Sequence, residues 1–256
     1  MEMTRIYQIV QHTYDNSIYI SFQGCNFQCR GCYLKDTIWY YHLPEDLKRR
    51  LKEIKHIKLL TLSEFKSIIG KINTGEAILG GAEPTLDEEL PEVIRLLNDF
   101  NIKTYLTTNG YILDWEMIRK LEKAGLTSIC ISIRAYNDDI HYFYTGQTNK
   151  PVLDNFKLAS ESRIKVMAES ILIPGLVGLD EIEKIAKFIA NINPYIPYRI
   201  DGFMPFGNVP WRSPSPKEVI EAVEIAKKYL KNVYYTHREM EFKGEVINIY
   251  PEVPID

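Results

Sequence analysis

Three of the chain's four cysteines lie close together, within the segment Cys25-Asn-Phe-Gln-Cys29-Arg-Gly-Cys32. Three thiolates on one short loop can hold three corners of a cubane iron–sulfur cluster, which leaves one iron without a protein ligand. An open metal position is typical of a reactive site, because structural sites are usually closed by protein ligands. The spacing therefore predicts a catalytic iron–sulfur centre.

A zinc site and an accidental cluster are the alternatives to this interpretation. A structural zinc ion needs four ligands, usually as two spaced pairs, and the chain has no second cysteine pair. His42 is the nearest downstream histidine. Cys130 belongs to an apolar run, where a free cysteine commonly acts as a small hydrophobe. A non-catalytic iron–sulfur or zinc-binding protein is therefore an alternative hypothesis.

The composition is that of an ordinary globular protein. The chain has 256 residues, 31 basic against 34 acidic side chains and 45% hydrophobic residues. A formal charge near zero indicates no nucleic acid partner. No apolar run reaches the roughly 18 to 20 residues of a membrane span, and no signal peptide is predicted. Clustered cysteines in such a chain indicate metal ligands in the reducing cytoplasm.

Short apolar runs alternate with amphipathic segments along most of the chain. The runs predicted to be strands are Ile18 to Phe22, Ala77 to Leu79, Thr104 to Thr107, Ser128 to Ile133, Lys165 to Leu172, Arg199 to Met204 and Val233 to Tyr235. This alternation predicts a parallel sheet covered by helices, in one domain over residues 1–256. Such folds place their chemistry at the carboxyl ends of the strands.

Three segments have the pattern of a helix start. Thr61-Leu-Ser-Glu64 and Thr85-Leu-Asp-Glu88 match the capping box, in which a hydroxyl and a carboxylate satisfy the first free backbone N–H groups. Ser215-Pro-Lys-Glu218 adds a proline at the first helical position. Each pattern predicts a helix that begins there.

The cysteine loop with its flanks, Ser21-Phe-Gln-Gly-Cys25 to Cys32-Tyr33, resembles the cluster loop of the radical S-adenosylmethionine (SAM) superfamily. The resemblance implies that Cys25, Cys29 and Cys32 hold a 4Fe–4S cluster whose fourth iron is chelated by SAM. It implies an enzyme that cleaves SAM reductively to a deoxyadenosyl radical, which then abstracts hydrogen from a substrate. It also implies an α/β fold, a partial parallel (β/α)6 barrel of the TIM type.

Two further segments resemble motifs of this family. The segment Leu79-Gly80-Gly81-Ala82-Glu83-Pro84 resembles a Gly-Gly-Glu-Pro motif whose backbone meets the SAM amino group. Ala82 stands in place of the second glycine of that motif. Thr107-Thr108-Asn109-Gly110 resembles the Asp-Thr-Asn-Gly of glycyl-radical activating enzymes. Both segments are also ordinary turn signals.

Ser132-Ile133-Arg134 lies where those activating enzymes have an Asp-x-Lys that contacts SAM. Arg134 can bind a carboxylate through two parallel hydrogen bonds, although a surface ion pair is the common alternative. The cofactor-binding residues that the resemblance implies are Gly80, Gly81, Ala82, Glu83, Asn109, Ser132 and Arg134.

The chain also departs from the activating enzymes of the pyruvate formate-lyase type. Those enzymes have carboxylates around a monovalent cation where this chain has Thr107 and Ser132, so no such cation is expected here. The stretch Gly202-Phe-Met-Pro-Phe-Gly207 lacks the SAM-contacting histidine of the longer members.

The resemblance covers roughly residues 18 to 230 and implies an activase that generates a glycyl radical on a partner enzyme. Modification of a small molecule or a peptide is the alternative. The cluster needs an external one-electron reductant, such as a flavodoxin-like or ferredoxin-like protein. A group of basic residues is either a solvated helix face or a docking patch for that donor: Lys48, Arg49, Arg50, Lys52, Lys55 and Lys58.

Overall fold

A computed structural model describes residues 2–253, which form one sheet with helices between its strands. The strands of the described chain are β1 (Ile6–His12), β2 (Ile18–Phe22), β3 (Glu76–Gly81), β4 (Lys103–Thr108), β5 (Ser128–Ser132), β6 (Lys165–Leu172), β7 (Tyr198–Gly202), β8 (Val233–Thr236) and β9 (Val246–Tyr250). The α-helices there are α1 (Glu45–Lys52), α2 (Leu62–Ile69), α3 (Leu90–Asp99), α4 (Trp115–Ala124), α5 (Asp138–Thr145), α6 (Lys150–Ser160), α7 (Leu179–Ile192) and α8 (Pro216–Lys227).

The order of the strands in the sheet is β8-β7-β6-β5-β4-β3-β2-β1-β9. From β2 to β8 every neighbouring pair is parallel, while β1 is antiparallel to both β2 and β9. The carboxyl ends of seven consecutive strands therefore lie at one edge of the sheet, where the connecting loops emerge. The expected α/β fold with a parallel sheet is confirmed. The sheet is open, because β8 and β9 form its two edges.

All seven predicted strands are present as β2 to β8, but β1 and β9 were not predicted. Gln8 interrupts the apolar pattern of β1, yet it is fully buried. Its Nε2 donates to Asn248 Oδ1 at 2.9 Å, and its Oε1 accepts from the backbone N–H of Tyr40 at 2.8 Å. A buried amide is tolerated when its hydrogen bonds are satisfied, and these partners are distant in sequence.

Two of the three predicted helix starts are confirmed. Thr61 and Ser215 each accept a hydrogen bond from the backbone N–H three residues later, and the capping box is complete at both helices. The prediction at Thr85 is wrong, because Thr85 lies in the short 3-10 turn Pro84–Leu86 and α3 begins at Leu90. The reason is Glu83, whose carboxylate accepts both the backbone N–H and the hydroxyl of Thr85.

The core has two parts. The larger cluster packs the helices against the sheet. The smaller cluster joins β1 and β9 to the segment that follows the cysteine loop, and its buried members are Tyr7, Val10, Trp39, Leu43, Leu51 and Val246. No helix of the described chain is long and apolar enough to cross a bilayer. The prediction of a single domain over residues 1–256 includes residues 1 and 254–256, which lie outside the described residues.

Candidate active site

The cysteine loop follows β2 at the edge of the sheet where the parallel strands end. It is tied to the neighbouring elements by backbone hydrogen bonds. The N–H groups of Gln28 and Arg30 donate to the carbonyls of Thr145 and Tyr144 in α5, at 2.8 and 2.9 Å. The carbonyl of Gly24 accepts from Glu83 N–H at 2.9 Å. The loop is therefore held between the end of β3 and the end of α5.

Gly31, between the second and third cysteines, allows close packing on this loop. A Cβ atom at this position would lie 2.6 Å from the ring of Phe203 and 3.1 Å from the hydroxyl of Tyr144. Both aromatic side chains are 2% exposed. They fill the space beside Gly31 and so fix the loop from the side of β7 and α5.

A single cavity of about 800 Å³ is lined by Cys25, Cys29 and Cys32 together. This volume falls within the range of pockets that bury small ligands. Among the described residues, no three His, Cys, Asp or Glu side chains are arranged to hold one metal ion. The predicted cofactor-binding residues that line the cavity are Gly80, Gly81, Ala82, Asn109, Ser132 and Arg134.

The surroundings of Cys25 and Cys29 disfavour the free thiolate. Burial raises the pKa of Cys29 to about 11, although the nearby Arg134 guanidinium opposes this shift. Burial also raises the pKa of Cys25, against a hydrogen bond from the N–H of Phe27. Coordination to a metal reverses such a preference, since a coordinating thiol is deprotonated. Cys25 and Cys29 are therefore not suited to be free thiolates, and a metal would be needed to hold them deprotonated.

The turn at the end of β3 brings its backbone to the cavity. Gly81 has a φ of +90°, a left-handed conformation that glycine adopts without strain. Its N–H donates to the Tyr19 hydroxyl at 2.7 Å, and the N–H of Ala82 donates to the carbonyl of Phe22 at 3.1 Å. The turn is therefore fixed against β2.

Glu83 does not line the cavity, unlike the other residues of the predicted cofactor-binding set. It is fully buried, and its carboxylate accepts from the hydroxyl of Thr108 at 2.6 Å and from the N–H of Asn109 at 2.7 Å, besides Thr85. Burial raises the pKa of this carboxyl, and the donors oppose the shift. The side chain connects the ends of β3 and β4.

Asn109 lies directly against the cysteine loop. Its Nδ2 donates to Asn26 Oδ1 at 2.6 Å and is 3.8 Å from the sulfur of Cys25, while its Oδ1 accepts from Tyr111 N–H at 2.9 Å. The backbone N–H of Asn109 is held by Glu83. The Asn109 side chain therefore links the end of β4 to the start of the cysteine loop.

Charged side chains from β6 and β7 form one wall of the cavity. Glu169 on β6 accepts a hydrogen bond from Ser132 at 2.5 Å and pairs with Arg199 on β7. Arg199 Nε also pairs with Asp201 at 3.1 Å. Burial alone would raise the pKa of Glu169, but the two guanidinium groups of Arg199 and Arg134 hold it below its ordinary value.

Arg134 has unused hydrogen-bond donors in this wall. Its guanidinium pairs with Glu169 at 3.8 Å, which is longer than a hydrogen bond. The side chain is 20% exposed and lines the cavity. A guanidinium carries five N–H donors in a planar fork, so this one can receive a carboxylate.

Sequence reasoning missed Glu169, Arg199 and Asp201. A signal was present for Glu169, because it is a charged residue inside the apolar run predicted as a strand. Arg199 and Asp201 follow the same pattern at the next strand. No such signal existed for Tyr19, since a tyrosine in a strand is commonplace.

The parallel sheet and the cavity at its carboxyl edge, with three cysteines on the loop after β2, define a radical SAM fold. The family model described as the radical SAM superfamily matches residues 19–189. The chain belongs to this superfamily. It is therefore an enzyme that uses a 4Fe–4S cluster and SAM, and the alternative of a non-catalytic metal-binding protein is wrong.

Three curated relatives show what the chain is similar to. A protein of Methanocaldococcus jannaschii, provisionally named a glycyl-radical enzyme activating enzyme, is 37% identical over 216 residues, covering 82% of this chain and 76% of the relative. The pyruvate formate-lyase-activating enzyme of Streptococcus mutans is 26% identical, and the alignment covers 84% of this chain and 85% of that enzyme. The GTP 3',8-cyclase of Aquifex aeolicus is 29% identical, and the chain spans 61% of its length.

A solved structure supports the fold at low sequence identity. Streptococcus suis SuiB bound to its precursor peptide SuiA aligns with a TM-score of 0.63 and 12% identity, covering 84% of this chain and 47% of that protein. At this level of identity the likeness concerns the fold alone.

Proposed function

We propose that this enzyme is an activase that generates a glycyl radical on a partner enzyme. The observation that carries the proposal is the 37% identity, over most of both chains, to the Methanocaldococcus jannaschii protein named for this activity. The Streptococcus mutans activating enzyme supports it, since the alignment covers 84% of this chain and 85% of that enzyme. We place the enzyme in the cytoplasm, where free thiols stay reduced.

In this proposal Cys25, Cys29 and Cys32 hold the 4Fe–4S cluster. Their convergence on one cavity supports the assignment. When bound and reduced, the cluster with SAM supplies a deoxyadenosyl radical.

The remaining residues bind and position SAM. Arg134 binds the methionyl carboxylate, because its ion pair with Glu169 at 3.8 Å leaves hydrogen-bond donors for a ligand and it borders the cysteines. The turn at Gly80, Gly81 and Ala82 approaches the amino acid end of SAM, and Asn109 borders the cluster beside Cys25.

Two residues of the predicted cofactor-binding set act through their neighbours in this proposal. Ser132 fixes Glu169 by its hydrogen bond and thereby the charged wall that contains Arg134. Glu83 is a positioning residue, because its carboxylate accepts the backbone N–H of Asn109 while Glu83 itself does not line the cavity.

Replacement of Cys29 by alanine tests the cluster assignment, and Cys130 provides a matched control. Cys130 is buried in β5 and does not line the cavity. After anaerobic reconstitution, Cys29→Ala is expected to lose the cluster absorbance and reductive SAM cleavage, because three ligands are the minimum for the site. Cys130→Ala should retain both. Retained cleavage in Cys29→Ala would contradict the assignment.

The activase function itself is tested by electron paramagnetic resonance. The reconstituted and reduced enzyme is incubated with SAM and a candidate glycyl radical enzyme. A glycine-centred radical on the partner, lost when its acceptor glycine is replaced by alanine, is the expected result. SAM cleavage without a radical on any candidate partner would overturn the activase proposal while leaving the radical SAM class intact.

Modification of a small molecule or a peptide is the second candidate, and the charged wall favours it. Arg199 and Asp201 line the cavity and have opposite charges. Such a lining suits a polar or zwitterionic ligand better than an uncharged glycine loop. The similarity to a GTP 3',8-cyclase supports the same view. Deuterium transfer from labelled candidate substrates into deoxyadenosine distinguishes this function from the first.

A further inference from the structure

Tyr19 on β2 reaches the cavity edge beside the β3 turn. Its hydroxyl oxygen accepts the N–H of Gly81 at 2.7 Å, and its ring lies against Tyr40 with centroids 4.8 Å apart. Both rings line the cavity. The accepted hydrogen bond and the ring contact together fix where the phenol oxygen lies.

The Tyr19 hydroxyl covers the backbone of Gly80. A Cβ atom at Gly80 would overlap the hydroxyl oxygen and lie 2.8 Å from the ring carbon that bears it. Gly80 is therefore required by the approach of Tyr19, whatever binds in the cavity.

The O–H of Tyr19 has no acceptor within the described part of the chain, where the Gly81 bond is the one hydrogen bond that the hydroxyl makes. Tyr40 differs, because its hydroxyl is 3.0 Å from His12 Nε2. A hydroxyl donor that a bound ligand cuts off from water costs free energy unless the ligand supplies an acceptor. The free O–H at the cavity edge thus calls for an acceptor on the bound ligand.

We propose that Tyr19 donates this hydrogen bond to the methionyl carboxylate of SAM. The inference rests on the proposed SAM site, in which the amino acid end of the ligand lies against the turn at Gly81. The carboxylate is the strongest acceptor at that end, and a hydrogen bond to a charged group is about twice as strong as a neutral one. Tyr19 and Arg134 then both bind this carboxylate.

The test compares two ligands that differ at the amino acid end. S-adenosylhomocysteine has the methionyl-type carboxylate, whereas methylthioadenosine lacks the amino acid entirely. Equilibrium binding of both is measured on the reconstituted enzyme and on Tyr19→Phe. We expect about a tenfold loss of affinity for S-adenosylhomocysteine and no change for methylthioadenosine, because the lost bond is charge-assisted.

Two further variants sharpen the comparison. Tyr40→Phe removes a cavity hydroxyl that is already paired with His12, so both affinities should stay unchanged. Gly80→Ala displaces the Tyr19 hydroxyl and should reproduce the selective loss of Tyr19→Phe. This variant keeps the proposal testable if Tyr19→Phe does not fold.

An equal change for both ligands, or no change for either, would overturn the role of Tyr19. That outcome with normal SAM cleavage by the wild-type enzyme leaves the proposed function standing. If the wild-type enzyme neither cleaves SAM nor prefers S-adenosylhomocysteine to methylthioadenosine, the proposed SAM site itself fails.

Discussion

At the scale of single residues, Glu169 determines the electrostatics of the cavity. It lies between Arg134 and Arg199 and is 8% exposed, so each of the three charges depends on the others. Removal of one partner from a buried ionic group is strongly destabilising, because the remaining charges keep their desolvation cost.

Glu169→Ala is therefore expected to lower the free energy of unfolding by about 3 kcal/mol. Glu116→Ala is the control, since Glu116 pairs with Lys120 on the exposed surface and should cost well under 1 kcal/mol. Urea unfolding of the variants measures both. Similar small effects of the two substitutions would contradict the buried network.

The destabilisation caused by Glu169→Ala is expected to depend on pH. The pKa of Glu169 is lower in the folded protein than in the unfolded chain, where it is about 4.3. Its contribution to the free energy of unfolding is therefore present above the unfolded-state pKa and is lost as the pH falls through the folded-state pKa. The gap in stability between wild type and Glu169→Ala should therefore shrink in acid.

At the scale of elements, the contrast between Thr61 and Thr85 shows that one buried carboxylate can prevent a capping-box sequence from starting a helix. Both threonines are followed three residues later by glutamate, yet only Thr61 caps a helix. Glu83 binds Thr85 and also holds the end of β4, which ties two strand ends to the cysteine loop. The strand ends therefore position the site as a connected unit.

Thr61→Ala should destabilise the protein by about 1 kcal/mol, the usual effect of losing an N-cap hydroxyl. Ser67→Ala on the exposed side of the same helix, α2, is the matched control and should change stability by less than about 0.5 kcal/mol. The midpoint of denaturant unfolding measures the difference. Equal effects at both positions would mean that the capping box does not stabilise α2.

At the scale of the whole molecule, α1 and the segment after it are placed beside the cavity. Lys48 lies over the ring of Tyr41 at 5.0 Å, and Tyr41 contacts Phe206, which lines the cavity. The exposed side chains of Arg49, Lys52 and Lys55 belong to the same segment. This location suits a docking patch for an acidic electron donor.

The triple variant Arg49→Gln, Lys52→Gln, Lys55→Gln should slow cluster reduction by flavodoxin, most clearly at low ionic strength, and leave reduction by dithionite unchanged. Stopped-flow bleaching of the cluster absorbance measures both rates. The control neutralises Lys217 and Lys228, which are exposed on and after α8. Unchanged flavodoxin rates in the triple variant would remove the docking patch.

The sequence by itself determined the parallel sheet and the cysteine loop. Their signals are local: apolar runs of strand length, and thiol ligands within one short segment. Arg134 was implied instead by the resemblance of Ser132-Ile133-Arg134 to the Asp-x-Lys of activating enzymes. Sequence reasoning could not predict β1, because the partners that satisfy Gln8 are distant in the chain.

Only the tertiary structure decided which of these residues face the cavity. It placed Glu83 outside the cavity lining and brought Tyr19, Glu169, Arg199 and Asp201 into it. Which neighbour a side chain meets across a sheet depends on strand order and register, and these arise from packing over the whole chain. The chemistry of the cysteines could thus be read locally, whereas their surroundings required the fold.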